Sequence, residues 1–200
     1  MKNQIRDWFY QVGLFTVPQF FKPEFCARLR AEVRQSLSQL AQIGDLPRVD
    51  RTVRRTDEVQ ISPQSWETIE DHLIGLKPQL EQYFKTNLSE MERPNVLRYY
   101  QDDFFSWHTD GGDDNPATKD RKVTTLMYLN GPDEESGSDS FIGGELEIYT
   151  HDLIPQEEYR THCLQLSPKT GLLVAFGSQI RHQVQPVMRG TRYVISTFWR

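Results

Sequence analysis

Residues 164–199 read LQLSPKTGLLVAFGSQIRHQVQPVMRGTRYVISTFW, and this stretch decides the fold. Short runs of Val, Ile, Leu, Thr and aromatic residues alternate in it with Gly, Pro and Ser, a pattern typical of short β-strands joined by turns. The same pattern begins earlier, in NVLRYY (95–100), KVTTLMYLN (122–130) and GELEIYT (144–150). The second half of the chain is therefore predicted to be a sandwich or barrel of many short strands.

The first half of the chain is predicted to contain a helix over residues 23–43. Pro23 stands at its first position, where a proline is tolerated. Its apolar residues recur at spacings of three and four and would form one buried stripe: Phe25, Leu29, Val33, Leu37 and Leu40.

A second helix is predicted over residues 63–86. Ser62 is a good N-cap before Pro63, and we expect an interruption of the helix between Gly75 and Pro78. The intervening residues 45–61 have no helical stripe and are predicted to be a loop that leads into one or two short strands. Helices followed by strands indicate an α+β fold that is mainly β.

The distribution of charge limits the partners of the chain. Residues 1–98 carry 14 Lys/Arg and 13 Asp/Glu, whereas residues 99–200 carry 9 and 15. An acidic second half argues against nucleic acid, because phosphate contacts need Lys and Arg. No apolar run reaches the ~18 residues of a membrane-spanning helix, so no membrane partner is expected. Cys26 and Cys163 are expected to be free thiols of a cytoplasmic protein.

Three residues of the second half suggest a metal site. His108 and Asp110 stand two positions apart, so in a strand their side chains would point to one face. Alone, this pair also fits a surface histidine beside a turn. His182 adds a second imidazole after the apolar run LLVAF, and two histidines with one carboxylate are the ligand set of non-haem iron(II) oxygenases. The remaining candidates lie in less comparable contexts: His72, His151 and His162.

Arg192 is the fourth candidate residue. In a strand it would share one face with Val194 and Ser196. An arginine among apolar neighbours needs an anion, and its guanidinium fork binds a carboxylate through two parallel hydrogen bonds. A structural salt bridge to one of the acids of this half is the alternative.

These residues and their surroundings resemble the iron(II)- and 2-oxoglutarate-dependent dioxygenases. Within them the chain looks most like the prolyl 4-hydroxylase branch, which includes the hypoxia-inducible-factor prolyl hydroxylases. The resemblance is strong over residues 95–200 and weaker in FTVPQFFKPEFCARL (15–29). Its segments are HTD (108–110), RKVTTLMYLN (121–130), GGELEIY (143–149), LSPKTGLLVAF (166–176), RHQVQPV (181–187) and GTRYVISTFW (190–199).

The resemblance implies a set of site residues and cofactors. The iron(II) ligands and catalytic residues would be His108, Asp110 and His182. Arg192 would pair with the far carboxylate of 2-oxoglutarate, with Tyr128 and Tyr99 beside the cosubstrate, although a register slip of one residue would exchange Tyr99 for Tyr100. The cosubstrates would be 2-oxoglutarate and dioxygen, with ascorbate as a reductant.

The resemblance also implies a fold and a reaction. The fold would be a double-stranded β-helix, or jelly roll, with buttressing N-terminal helices. Residues 1–200 would form one domain, with helical support and a substrate-loop region in 1–94 and the metal-binding core in 95–200. The reaction would hydroxylate a substrate, with a prolyl residue of a protein or peptide as the leading expectation, and release succinate and carbon dioxide.

Other functions remain open at the level of sequence. The same residues would serve a non-catalytic sensor of metal or 2-oxoglutarate, a hydroxylase of a small molecule or free amino acid, or a cupin-type metal enzyme that uses no 2-oxoglutarate. The basic residues of segment 48–55 either form a solvated face or meet an acidic peptide or anionic substrate: Arg48, Arg51, Arg54 and Arg55.

Overall fold

The computed structural model describes residues 13–41, 50–112, 116–132, 140–149 and 163–200. Within these ranges the chain forms two helices and thirteen strands. In chain order they are β1 (Phe15–Val17), α1 (Pro23–Gln35), β2 (Ser38–Leu40), β3 (Asp57–Val59), α2 (Pro63–Phe84), β4 (Asn95–Tyr99), β5 (Phe105–His108), β6 (Val123–Tyr128), β7 (Phe141–Gly143), β8 (Leu146–Tyr149), β9 (Cys163–Leu166), β10 (Leu173–Gly177), β11 (His182–Val184), β12 (Val187–Gly190) and β13 (Arg192–Trp199).

Two antiparallel sheets enclose the interior of the fold. The larger has seven strands in the order β1-β10-β6-β13-β4-β3-β2, and the smaller has four in the order β5-β11-β8-β9. Strands β12 and β7 form a separate pair. Apolar side chains of both sheets meet in one cluster, with Phe176 and Val194 from the larger sheet and Ile148 and Val184 from the smaller. The predicted jelly roll is confirmed, and its interior lies between the two sheets.

Strand β13 is buried on both faces. Val194 belongs to the cluster between the sheets, whereas Tyr193 and Ile195 belong to a second cluster on the other side of the larger sheet. Successive residues of a strand point to opposite faces. Arg192 and Ser196 therefore share the inner face with Val194, as the spacing predicts, and all three line the cavity between the sheets.

Both helices pack on the outer face of the larger sheet. Their buried apolar residues recur at helical spacing and join the second cluster: Cys26, Leu29 and Val33 from α1, and Ile69, Leu73, Leu76 and Leu80 from α2. Burying one Leu or Ile side chain contributes about 1.5–3 kcal/mol. Ser62 caps α2 as predicted, since its hydroxyl accepts the N–H of Ser65 at 3.3 Å. Neither helix of the described ranges combines the length and the apolarity needed to cross a membrane.

The helix predicted over residues 23–43 is too long, because α1 ends at Gln35 and β2 follows. Strand β2 pairs with β3, the short strand expected within residues 45–61, and this pairing satisfies the backbone that a longer helix would have used. The apolar stripe predicts a helix that is too long because its last two residues are not buried: Leu37 is 82% exposed and Leu40 is 40% exposed.

The predicted interruption of the second helix is also wrong, because α2 continues through Gly75 and Pro78. Pro78 removes the N–H that would bond to the carbonyl of Ile74. Ile74 is 59% exposed, so water can reach its surroundings. The buried stripe continues with Leu76 and Leu80, and their burial outweighs the ~3 kcal/mol cost of an interior proline.

Candidate metal centre

His108 and His182 face each other across neighbouring strands of the smaller sheet. They are direct Cα partners in the β5–β11 ladder, and their ring centroids are 4.2 Å apart. Asp110 follows β5, with Oδ1 3.5 Å from His108 Nε2 and Oδ2 3.3 Å from His182 Nε2. The ligand atoms of all three lie within 4.8 Å of one another. The structure thus brings together the three residues that the sequence singles out.

The backbone orients both imidazole rings. His108 Nδ1 lies 2.7 Å from the carbonyl of Ser106, and His182 Nδ1 lies 2.8 Å from the carbonyl of Ile180. A carbonyl oxygen only accepts, so each Nδ1 carries a proton and donates it. In the neutral rings the lone pair is then on Nε2, which points into the cluster, as in histidines that bind metals.

The charges of the three groups are coupled. Although burial opposes ionisation, the imidazoles of His182 and His108 hold the pKa of Asp110 well below its usual value. Burial disfavours the charged form of His182, but the Asp110 carboxylate raises the pKa of this imidazole. Burial and the nearby His182 lower the pKa of His108. The cluster therefore contains an ionised carboxylate and a neutral imidazole, the states that bind a cation.

The donor set fits a divalent iron ion. Two imidazole nitrogens and one carboxylate leave further coordination positions open, which is the arrangement of non-haem iron(II) oxygenases. Among the described residues, no other group of three His, Cys, Asp or Glu side chains converges in this way.

Arg192 is a buried cation with donors available for a ligand. It is 1% exposed, and its Cζ lies 4.8 Å from the ring centroid of Tyr99 and 5.2 Å from that of Tyr128. Within the described ranges, Nε and Nη1 of Arg192 and the hydroxyl of Tyr128 are buried without a hydrogen-bond partner. Burial raises the pKa of Tyr128 despite the nearby guanidinium, so its hydroxyl keeps its proton. Such donors fit a bound carboxylate.

The structure distinguishes Tyr99 from its neighbour Tyr100. Tyr99 is 2% exposed, is the Cα partner of Arg192 across β4 and β13, and lines the cavity. Tyr100 is 46% exposed, and its ring centroid lies 4.9 Å from Cζ of Arg98. Tyr99 is therefore the inward residue of the pair.

One cavity of about 570 Å³ contains both the His–Asp–His cluster and Arg192. Leu126 and Val194 contribute apolar walls, and the side chains of Arg54 and Arg93 also line it. Apolar walls with a few convergent polar groups are typical of small-molecule sites. The cavity therefore joins the His–Asp–His cluster, whose donor set fits a metal ion, to a guanidinium that fits an anion.

The other histidines do not join the cluster as far as the structure describes them. His72 lies on α2, with its ring centroid 5.4 Å from that of Phe21 and its Nδ1 2.7 Å from the carbonyl of Thr68. His151 and His162 lie outside the described residues, as does Arg48.

The sequence motifs do not identify Thr124, which contacts the site. Its hydroxyl donates to Oδ2 of Asp110 at 2.9 Å. In the sequence, Thr124 is a hydroxyl residue within a largely apolar run. In the structure, every residue of β6 is buried. Such a residue needs a partner, but the pattern alone does not show which one.

The chain belongs to the 2OG-Fe(II) oxygenase superfamily, whose family model matches residues 94–200. A PKHD-type hydroxylase from Xylella fastidiosa (strain M12) is 31% identical over 114 residues, which cover 53% of this chain and 43% of the relative. The chain thus spans less than half the length of this relative. The family membership expected from the motifs is confirmed.

Two solved structures share the fold over nearly the whole chain. A prolyl-4-hydroxylase from Pseudomonas putida has a TM-score of 0.67 and 21% identity, covering 100% of this chain and 98% of that one. A prolyl hydroxylase from Trichoplax adhaerens, in complex with a hypoxia-inducible-factor oxygen degradation domain peptide fragment, has a TM-score of 0.71 and 20% identity, covering 98% and 87%. At these identities the likeness shows the jelly-roll fold alone.

Proposed function

We propose that this chain is an iron(II)- and 2-oxoglutarate-dependent hydroxylase. Three residues bind the iron: His108, Asp110 and His182. Arg192 and Tyr128 bind the far carboxylate of 2-oxoglutarate, and Tyr99 forms a wall beside it. The observation that carries the proposal is the buried Arg192 guanidinium, with partnerless donors, in the cavity that also contains the metal-binding cluster.

The cofactors and the protein divide the work of this reaction. When bound, iron(II) and 2-oxoglutarate supply the oxidising chemistry by which dioxygen hydroxylates a substrate C–H bond, with succinate and carbon dioxide as co-products. The protein binds and orients the reactants. Arg192 presents a planar fork to a carboxylate, and Tyr128 adds one O–H donor. The carbonyls that accept from the two Nδ1–H groups keep both Nε2 atoms available to the metal.

We propose a prolyl residue in a protein or peptide as the substrate. The similar fold from Pseudomonas putida is that of a prolyl-4-hydroxylase, and the one from Trichoplax adhaerens holds a peptide fragment. These likenesses support the proposal through the fold.

The basic segment supports an acidic or otherwise anionic substrate. Its residues 53–55 are hydrogen-bonded to β5 and to the residue before it, because Ser106 N donates to the carbonyl of Val53 and Arg55 N donates to that of Phe104, each at 2.9 Å. The Arg54 Cζ lies 4.7 Å from the ring centroid of Phe105. That ring stacks on His108 with centroids 3.5 Å apart. The segment thus brings positive charge close to the proposed iron site.

An anaerobic titration with Fe(II) and then 2-oxoglutarate tests the cofactor assignment. Chelation of the keto acid to iron gives a weak visible charge-transfer band, which we expect in the wild type and not in His182→Ala. Arg192→Ala should need a far higher concentration of 2-oxoglutarate to form the band. Arg189 is an exposed arginine of β12, and Arg189→Ala should behave like the wild type. Iron binding without a band would favour the cupin-type enzyme, and failure to bind iron would contradict the proposal.

A second assay tests the substrate. Proline-containing peptides with acidic or neutral flanks are incubated with Fe(II), 2-oxoglutarate and dioxygen, with and without ascorbate. We expect succinate together with a peptide that is heavier by one oxygen atom. Fragmentation in the mass spectrometer should locate this oxygen on the proline. Turnover of small molecules alone would contradict the peptide substrate. Binding of 2-oxoglutarate without any succinate would indicate a sensor.

A further inference from the structure

Asp110 is the only proposed metal ligand that lies outside a strand. His108 and His182 are held by the β5–β11 ladder, but Asp110 stands beyond the end of β5. The terminal torsion of an aspartate is broad, so the rotamer alone does not fix the carboxylate. Other contacts must orient it.

The backbone of Asp110 is anchored to Ser178, the residue that follows β10. The N–H groups of Asp110 and Gly111 both donate to the carbonyl of Ser178, each at 2.9 Å. Arg121 Nη1 donates to the carbonyl of Asp110 at 3.3 Å. These contacts place the Cα of Asp110 but leave the carboxylate free to rotate.

Two buried hydroxyls restrain this rotation. Thr124 Oγ1 lies 2.9 Å from Asp110 Oδ2 and 3.0 Å from Ser178 Oγ, and both hydroxyl residues are fully buried. The ionised carboxylate only accepts, so the single proton of Thr124 goes to Asp110. The proton of Ser178 is then the one shared with Thr124 Oγ1. The hydrogen bonds therefore run in one direction, from Ser178 through Thr124 to Asp110.

Thr124 is well suited to hold a side chain in place. It is β-branched, which restricts its own χ1. Its backbone lies inside the larger sheet, where it is the Cα partner of Phe176 and of Phe198. A hydroxyl on this rigid strand can fix the plane of a carboxylate that belongs to the loop after β5.

We infer that Thr124, supported by Ser178, is a positioning residue that holds the Asp110 carboxylate in the orientation that binds the metal. The inference rests on the proposed function in one respect, namely that the cluster binds a divalent cation. Contacts that orient metal ligands typically change metal affinity 10–100-fold when removed. If the two hydroxyls had a purely structural role, their removal would lower the stability of the protein and leave its metal affinity unchanged.

Thr125 provides a matched control. It is also fully buried and adjacent on β6, but its hydroxyl lies 3.3 Å from the carbonyl of Thr197 and does not contact the cluster. Thr124→Val and Thr125→Val therefore remove the same group from the same strand. Thr124→Ser restores the hydroxyl at the test position.

The experiment measures binding of Mn(II) to the metal-free protein, without 2-oxoglutarate or dioxygen, from the electron paramagnetic resonance signal of free Mn(II). We expect Thr124→Val to weaken binding about 10–100-fold, with Thr125→Val unchanged and Thr124→Ser within a few-fold of the wild type. Melting in the absence of metal should fall by similar amounts in the two valine variants.

Several outcomes would overturn the inference. One is wild-type Mn(II) affinity in Thr124→Val, and another is an equal loss in Thr125→Val, which would indicate general damage to the strand. If Thr124→Val does not fold, Ser178→Ala is measured instead. A several-fold loss supports the inference, and no loss contradicts it. Failure of the wild type to bind Mn(II) would remove the proposed function itself, a result distinct from equal affinities.

Discussion

The side chain of Asn130 holds the backbone on both sides of Arg192. Its Nδ2 donates to the carbonyl of Thr191 at 2.7 Å, and its Oδ1 accepts the N–H of Tyr193 at 2.9 Å. Asn130 is fully buried, just beyond the end of β6. The position at which the guanidinium enters the cavity therefore depends on the side-chain amide of Asn130.

Asn130→Ala should weaken binding of 2-oxoglutarate. The variant leaves the buried N–H of Tyr193 without this partner, which costs about 1–3 kcal/mol, and it also removes the donor to the part-buried carbonyl of Thr191 just before β13. We expect the dissociation constant for 2-oxoglutarate, measured by calorimetry with Mn(II) present, to rise on the order of tenfold or more. Mn(II) affinity should stay at the wild-type value. Equal losses of both affinities would contradict the specific link to Arg192.

Metal binding should raise the melting temperature through the histidine pair. At a concentration 100 times the dissociation constant, Mn(II) should add about 2.7 kcal/mol of stability, which corresponds to a shift of about 5–10 °C for a chain of this size. His182→Ala should abolish the shift. His72→Ala, on α2, should keep it, and loss of the shift in that variant would show that the metal binds elsewhere.

Glu92 should contribute to the loss of stability in acid. Its carboxylate accepts from Arg121 at 2.8 and 2.6 Å and from Arg200 at 2.9 Å. Burial opposes ionisation, but these two arginines lower the pKa of Glu92 below 4.5. A lowered pKa contributes stability above the unfolded-state value, and this contribution disappears as the pH falls through the lower folded-state pKa.

Glu92→Gln tests this linkage. The variant should be less stable than the wild type at neutral pH, and its free energy of unfolding should fall less steeply as the pH drops below 4.5. Urea unfolding across this range measures both effects. The control is Glu67→Gln, which makes the same change at an exposed position of α2 and should not reproduce the effect of Glu92→Gln. Parallel curves for wild type and Glu92→Gln would refute the prediction.

Two Gly→Ala substitutions should have opposite effects. Gly144 has a φ of +67°, and a Cβ there would lie 3.0 Å from Cδ of Arg192. Gly144→Ala should therefore cost about 1 kcal/mol or more and weaken 2-oxoglutarate binding. Gly75 is exposed on α2 with open space around it, so Gly75→Ala should stabilise the protein by about 0.5–1 kcal/mol. Denaturant midpoints measure both, and a stabilised Gly144→Ala would be inconsistent with the geometry.

Charge reversal tests whether the arginines of the basic segment contact an anionic substrate. The double variant Arg51→Glu/Arg54→Glu should lower kcat/KM for a peptide with acidic flanks about tenfold, with a smaller effect on a neutral peptide, because charges at the rim of a site steer the approach of a ligand. Arg189→Glu on β12 is the control, and kinetics at two salt concentrations give the electrostatic share. Unchanged turnover of the acidic peptide would mean that these arginines form only a solvated face.

Most strands and the His108–Asp110 pair could be predicted because their signals are local, whereas His182 joins this pair through a contact far apart in sequence. The β-branched and aromatic run RYVISTFW after Gly190 marks β13 closely, and His108 and Asp110 are two residues apart. Tyr99 and Tyr100 could not be separated in the same way. Which of two adjacent residues points inward depends on the pairing of β4 with β13, a contact far apart in sequence.

The failures came where distant contacts outweigh local pattern. The stripe through Leu37 and Leu40 predicts helix, but pairing of β2 with β3 determines the outcome. Pro78 predicts a break, but burial of α2 against the sheet overrides it. The hydrogen bonds from Ser178 to Thr124 to Asp110 join three separate segments, so no spacing rule could have indicated them.

Because β13 is buried on both faces, a mutation that changes its length affects the site and the core together. Arg192 and Val194 line the cavity, whereas Tyr193 and Ile195 pack beneath the helices. Inserting or deleting a single residue early in this strand would exchange the two faces, turning the guanidinium toward the helices and a tyrosine toward the cavity. Substitutions can alter ligand recognition and core packing separately along β13, but changes in its length cannot.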